Sequence, residues 1–293
     1  MGPIRTLPAD IAGRAPGGID KAVTVEDHCV PGPHGPVPVR SYRPAAPPRT
    51  GLLWMHGGGF RAGSLDMPEA HDVSLALAAR AQALVVSVDY QLASTDVVYP
   101  MPLDDVYAAW RWLCEDPGHG HLAVRAVGGA SAGGALALGA AIRGRDDGLP
   151  AHQLLLAYPF AHYPNPALDE ATMLALARMP EMPRFPPALV ESMVADYVGR
   201  ITDVPQLALP GAARLDALPA TALLLAQYDD LRPSGELLHR QLDSVGVPVT
   251  ALVALGAPHG HLNADADAPM VVDSLRFLAR ALTGPDWKAK VTP

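Results

Sequence analysis

Apolar positions in this chain gather into short continuous runs, separated by longer segments in which they recur every three or four residues. The runs at 51–56, 83–89, 122–127, 153–158, 221–227 and 249–255 are nearly unbroken and end in Gly, Pro or charged residues. Strands buried on both faces read this way. The segments at 69–81, 103–115, 131–142, 234–245 and 269–282 show helical spacing. Strand and helix therefore alternate, which predicts an α/β fold with a parallel sheet covered on both faces. Two further runs, 23–30 and 37–42, flank Pro31-Gly32-Pro33-His34-Gly35-Pro36 and predict a hairpin at the start of the sheet.

Residues 160–215 break this rhythm. They are rich in Pro and Met, lack a strand pattern, and hold helical pieces at 168–177 and 187–197 between prolines. A long insertion between core strands belongs at the carboxyl edge of the sheet, where ligands bind. It is expected to form a cap over a pocket, with Met173, Met179, Met182 and Met193 as an adaptable apolar wall.

Composition narrows the function classes. With 293 residues, 49% of them hydrophobic, the chain can bury the core of one large domain, 1–293. The net charge of -8 is spread without blocks, so no basic face is available to neutralise phosphates, and nucleic acid is not an expected partner. No run approaches the roughly 18 apolar residues of a membrane span, so no membrane partner is expected either. Cys29 and Cys114 are too far apart in sequence to suggest a disulfide framework or a metal knuckle. The start of the chain lacks a basic region followed by an apolar stretch. Together these features predict a reduced, cytoplasmic protein.

Two glycine-rich motifs bring in the chemistry. Gly129-Ala130-Ser131-Ala132-Gly133 has the form G-x-S-x-G and lies between a strand run and a helix run. Such a strand, turn and helix lifts a serine hydroxyl to the top of a sheet. His56-Gly57-Gly58-Gly59-Phe60 follows another strand run. Three successive glycines let backbone N–H groups approach a ligand, as an acyl-transfer enzyme needs at the oxyanion of its tetrahedral intermediate.

With these two motifs, the chain from about residue 50 to about residue 282 resembles the hormone-sensitive-lipase-like branch of the α/β hydrolases, the bacterial esterases and lipases with an HGGG box. Ser87-Val88-Asp89-Tyr90-Gln91-Leu92-Ala93 and Pro102-Leu103-Asp104-Asp105 are similar to further segments of that family. The resemblance implies a mostly parallel eight-stranded sheet, with a cap built from residues 1–20 and 160–215. It also implies a serine hydrolase without a cofactor or catalytic metal. Its expected substrate is a small-molecule ester, and its expected state a monomer or homodimer.

A serine needs a base, and the base an orienting acid. On this fold they follow in the order Ser, Asp or Glu, His. After the run at 221–227 comes Tyr228-Asp229-Asp230-Leu231-Arg232, similar to the family's D-P-L-R stretch with Asp230 in place of proline. Asp229 is the assigned acid, although sequence alone does not separate it from its neighbour. After the run at 249–255 comes Pro258-His259-Gly260-His261, similar to the family's H-G-F. His259 is assigned as base over His261. A metal site at this i, i+2 pair lacks a third ligand nearby. Gly58, Gly59 and Ala132 are expected to supply the oxyanion N–H groups. Phe60, Tyr90 and Tyr163 are the substrate-pocket candidates, with Tyr158 and His162 also placed beside the cap. His119 and His121, in a Gly-rich loop, are expected at the surface.

The chain departs from the family pattern at Ala130, where Asp or Thr is frequent, and at Gln91, where Arg is usual. The same site could in principle cut an amide or lactone, or transfer an acyl group. A non-catalytic binder of this fold would lack a triad member, and none is missing here.

Overall fold

The computed structural model describes residues 5–6, 23–179 and 181–283. A single sheet runs through the molecule in the order β1-β9-β8-β7-β6-β4-β5-β3-β2. The hairpin of β2 (Val23–Gly32) and β3 (Gly35–Pro44) is antiparallel, and β3 runs antiparallel to β5 (Leu84–Val88). The strands β4 (Thr50–Met55), β5, β6 (Val124–Ala130), β7 (Gln153–Ala157), β8 (Ala220–Tyr228) and β9 (Val249–Pro258) are parallel. These are the eight strands expected. The two-residue β1 (Arg5–Thr6) pairs with β9 at the far edge. The rest of residues 1–20, expected to contribute to a cap, lies outside the described residues.

The continuous apolar runs are explained by burial on both faces. Along β4, Leu53 and Met55 enter one core and Leu52 and Trp54 the other; Leu154, Leu156 and Leu155, Ala157 of β7 divide in the same way. One face is covered by α2 (Met101–Glu115), α3 (Ala132–Asp146) and α6 (Arg232–Ser244), the other by α1 (His71–Ala81) and α7 (Pro269–Leu282). The helix α3 is buried on nearly every side, which is why its sequence reads as uniformly Ala- and Gly-rich rather than amphipathic.

Boundaries shift where a local constraint outweighs the apolar pattern. The hairpin closes through only Pro33 and His34, with Gly32 opposite Gly35, because the strands pair through the prolines that suggested a longer loop. The strand β6 continues through Gly128 and Gly129, because only glycine fits there: a Cβ on Gly129 would lie 2.4 Å from the Gly133 carbonyl oxygen. The helix α1 begins at His71, because Glu69 is drawn inward to the site described below. His119 is buried with its ring edge-on to Trp112, contrary to the expectation of exposure, while His121 is exposed. The segment 160–215 joins β7 to β8 and carries α4 (Glu170–Ala177) and α5 (Pro187–Val198). Among the described residues, no helix is long and apolar enough to cross a membrane.

Candidate active site

The carboxyl ends of the parallel strands bring Ser131, Asp229 and His259 to one place. Ser131 sits between β6 and α3 with φ 53° and ψ -118°. A side chain there is strained, and the surroundings over-determine it. Its N–H donates to the Ala157 carbonyl, and its own carbonyl accepts from Gly134, Ala135 and Phe160. Gly133 fits because a Cβ would meet the His56 and Met55 carbonyl oxygens at 2.3 and 2.4 Å.

Asp229 follows β8 and His259 follows β9. A bulge brings the latter into place: the pairing of β8 with β9 slips between Ala226 and Tyr228, and the Gly256 N–H donates to the Gln227 side-chain carbonyl at 2.6 Å. His259 Nε2 then lies 2.8 Å from Ser131 Oγ, and Nδ1 lies 2.8 Å from Asp229 Oδ2. The other oxygen of Asp229 accepts from the Leu231 N–H at 2.8 Å. An acceptor-only carboxylate on Nδ1 requires the proton there, leaving Nε2 to accept from the serine hydroxyl. Burial pulls the His259 pKa down, but the Asp229 carboxylate outweighs it and holds the value above that of ordinary histidine.

The neighbours of these two residues point elsewhere. Asp230 accepts from Arg184 through both oxygens, at 2.9 and 3.0 Å, and from the Phe185 N–H at 2.7 Å. His261 lies 2.9 Å from Ser274 Oγ, on α7, and 3.2 Å from the Pro258 carbonyl. Burial pushes its pKa down to about 4. Sequence could not separate the aspartates and favoured His259 over His261; the bonding distinguishes the members of both doublets.

The glycine loop expected to supply oxyanion N–H groups leaves β4. Gly58 and Gly59 have φ of 117° and 61°, and the Gly58 carbonyl accepts from Arg61 and Ala62. Among the described residues, the N–H groups of Gly58, Gly59 and Ala132 are spent on no hydrogen bond. The loop is held from below by Tyr90, which stacks on His56 and donates to its carbonyl at 2.9 Å. Tyr90 thus supports the loop instead of lining a pocket. From above, Phe60 stacks on Tyr197 of α5 at 3.9 Å between ring centroids, and a Cβ on Gly59 would meet Met193 Sδ at 2.6 Å.

The other expected pocket residues fare unevenly. Tyr163 is half-buried against the core. His162 is tied to Ser234 and Gln241, a structural role. Met193 packs against Gly59, and Met173 is about half exposed. Phe185, whose ring packs edge-on against His259 at 4.6 Å, carried no motif in the sequence. Neither did Glu69, buried beside Gly57; in sequence it only opened the helical segment 69–81. Gln91 replaces the missing arginine's bracing modestly, its backbone and side-chain amides donating to Asp105.

Comparison with known proteins places the chain in a family. The family model described as alpha/beta hydrolase fold matches residues 52–263. The chain is 35% identical to Esterase LipI of Mycobacterium tuberculosis over 251 residues, covering 81% of this chain and 75% of that one. It is 33% identical to Carboxylesterase NlhH of the same species over 261 residues, covering 84% and 79%. Among solved structures, an esterase of Pyrobaculum calidifontis superposes with a TM-score of 0.80 at 31% identity, covering 90% of this chain and 87% of that one.

Proposed function

The chain belongs to the hormone-sensitive-lipase-like branch of the α/β hydrolases, and from that premise we propose that it is a serine carboxylesterase acting on small or medium acyl esters. The observation that carries this reading is the unbroken chain from Asp229 through His259 to Ser131, and the unspent N–H groups of Gly58, Gly59 and Ala132 are assigned to the oxyanion.

Ser131 attacks the ester carbonyl as His259 takes its proton. Asp229 holds the imidazole in the productive tautomer and stabilises the imidazolium. The tetrahedral oxyanion forms against the three N–H groups. The alcohol leaves with the proton from His259, and an acyl group remains on Ser131 Oγ. Water attacks that acyl-enzyme with His259 again as base, releasing the acid and restoring the serine. No metal or cofactor is needed for any step. The segment 160–215 serves as the cap, with Phe185, Phe60 and Met193 facing the acyl or alcohol portion. Two unpaired thiols, Cys29 and Cys114, fit a reducing, cytoplasmic setting.

The test is Ser131→Ala, assayed with p-nitrophenyl acetate and a fluorophosphonate probe. Turnover is expected to fall by about 10⁴-fold or more, with labelling abolished and the melting profile kept. Turnover by the folded variant at the wild-type rate would overturn the reading. Because His259 must be neutral to act as base, wild-type kcat/KM should fall on the acid side of a midpoint above about 6.5.

A further inference from the structure

Glu69 is a carboxylate sealed from water, 1% exposed, and the mechanism above makes no use of it. It lies just before α1, far in sequence from the motifs, yet its side chain touches three parts of the site. One oxygen, Oε2, accepts from the Gly57 N–H at 2.5 Å. The other, Oε1, accepts from the Tyr158 hydroxyl at 2.5 Å and the Asn263 amide at 3.3 Å. Asn263 also takes the Glu69 backbone N–H on its carbonyl oxygen at 3.1 Å. The Glu69 backbone carbonyl accepts from the Trp54 indole at 2.9 Å. Gly57 opens the oxyanion loop, Tyr158 lies at the end of β7 with its ring 5.0 Å from that of His259, and Asn263 closes the turn that follows His259.

Three donors converge on two oxygens. Two of them, the Gly57 N–H and the Asn263 amide N–H, can only donate, and the Tyr158 hydroxyl can donate too, a lining that suits a carboxylate. Among the described residues no lysine or arginine pairs with it. The group able to answer its charge is His259 once protonated. Burial pushes the Glu69 pKa up, and it stays above the usual carboxylate value even though Tyr158, Gly57 and His259 oppose the shift. Its field in turn favours the charged form of His259. His259 is also faced by Asp229, Asp230, Tyr158, His261 and the ring of Phe185.

The space around Gly57 shows how close this acid comes to the nucleophile. A Cβ there would lie 2.6 Å from Glu69 Oε2 and 3.1 Å from Ser131 Cβ. Residue 130, directly before the nucleophile, offers no such group: Ala130 is wholly buried among Tyr42, Trp54 and other apolar side chains.

We propose that Glu69 is a positioning residue of this site, a second buried carboxylate that sets the oxyanion loop through Gly57 and steadies the His259 imidazolium through Tyr158. This rests on the esterase reading. His259 becomes charged whenever a tetrahedral intermediate forms, so a fixed negative charge behind the ring acts when it is needed. The charge does not move, and no proton passes through it.

The test is Glu69→Gln, which keeps the shape and removes the charge. With p-nitrophenyl acetate, kcat and kcat/KM should drop together by about tenfold, less than for loss of a direct oxyanion donor, with KM within about twofold. Removing a negative charge disfavours the imidazolium, so the acid limb of kcat/KM should move to lower pH, by about half a unit. A purely structural role would not move that limb. Tyr158→Phe, which keeps the ring and deletes only the hydroxyl, should move it the same way by less. A folded Glu69→Gln with the wild-type acid limb overturns the proposal. If that variant does not fold, an unmoved limb in Tyr158→Phe overturns it instead. In either case, fluorophosphonate labelling of wild type and an inactive Ser131→Ala leave the esterase reading intact. Absence of that labelling would sink the esterase reading itself.

Discussion

The floor of the site and the segment above it are built by opposite means. The floor is the carboxyl edge of the sheet, where Ser131, Asp229, His259 and Glu69 are all buried and each polar group has a fixed partner. The segment 160–215 has two short helices among prolines. Its α5 helix is anchored by Val190, Met193, Val194 and Tyr197 in the core, and its polar ties to the floor include Arg61 with Asp196, the Tyr99 N–H on the Tyr197 carbonyl, and Arg184 with Asp230. A floor fixed by strand ends can hold reacting atoms to a fraction of an ångström. A segment that supplies no strand to the sheet can change the side chains it turns toward the site without disturbing those atoms. The boundary runs between adjacent residues: Asp229 belongs to the floor and Asp230 to the segment above.

The largest effect that could break this division concerns the two histidines. His259→Asn should lower kcat/KM for p-nitrophenyl acetate by about 10⁴-fold or more, because the serine loses its base. His261→Asn should cost less than about tenfold in rate. It should instead lower stability by about 1–2 kcal/mol, since it leaves the buried Ser274 hydroxyl without its partner. Steady-state rates and denaturant melts of the two variants check this. Similar rate losses in both would mean that the floor is not divided as the bonding indicates.

The aspartates give the next contrast. Asp229→Asn should reduce kcat by about 10³- to 10⁴-fold, because an amide facing Nδ1 favours the wrong tautomer. Asp230→Asn keeps one acceptor for Phe185 and loses the ion pair, so kcat should change only a few-fold. Comparable kcat losses in the two variants would place both carboxylates on the floor.

These contrasts also mark what the sequence could and could not reveal. The strands were legible because burial on both faces leaves unbroken apolar runs, and α7 because its apolar face repeats at helical spacing. Ser131 and the oxyanion glycines were legible because tight turns demand glycine at fixed spacing. The choice between Asp229 and Asp230 was not, because adjacent carboxylates differ only in where the backbone after β8 aims them. Glu69 was hidden for a related reason. Its partners Gly57, Tyr158 and Asn263 lie on three separate loops that only the folded sheet brings together. Phe185 was hidden too, since one aromatic in a Pro-rich stretch has no periodicity to mark it.

The smallest effect tests the tie itself. Arg184 is partly exposed and Asp230 is buried, but the Phe185 N–H remains on the carboxylate when the arginine is removed, so Arg184→Ala should lower the melting temperature by a few degrees. What it should change is the position of Phe185 over His259. Across p-nitrophenyl esters from acetate to octanoate, KM should rise a few-fold for the acyl lengths that reach Phe185, with kcat for acetate nearly unchanged. The pH dependence of this effect has a definite sign. Burial pushes the Asp230 carboxyl up, but the Arg184 guanidinium and the Phe185 N–H hold it below the usual carboxylate range. A group whose folded pKa is depressed contributes above its unfolded pKa and is lost only as pH falls through the lower folded value. The tie is therefore intact throughout the neutral range, and the ratio of KM between Arg184→Ala and wild type should be flat from about pH 6 to 8. A ratio that collapses toward one within that window would assign the change in KM to a different titrating group, with His259, the nearest one, the first to examine.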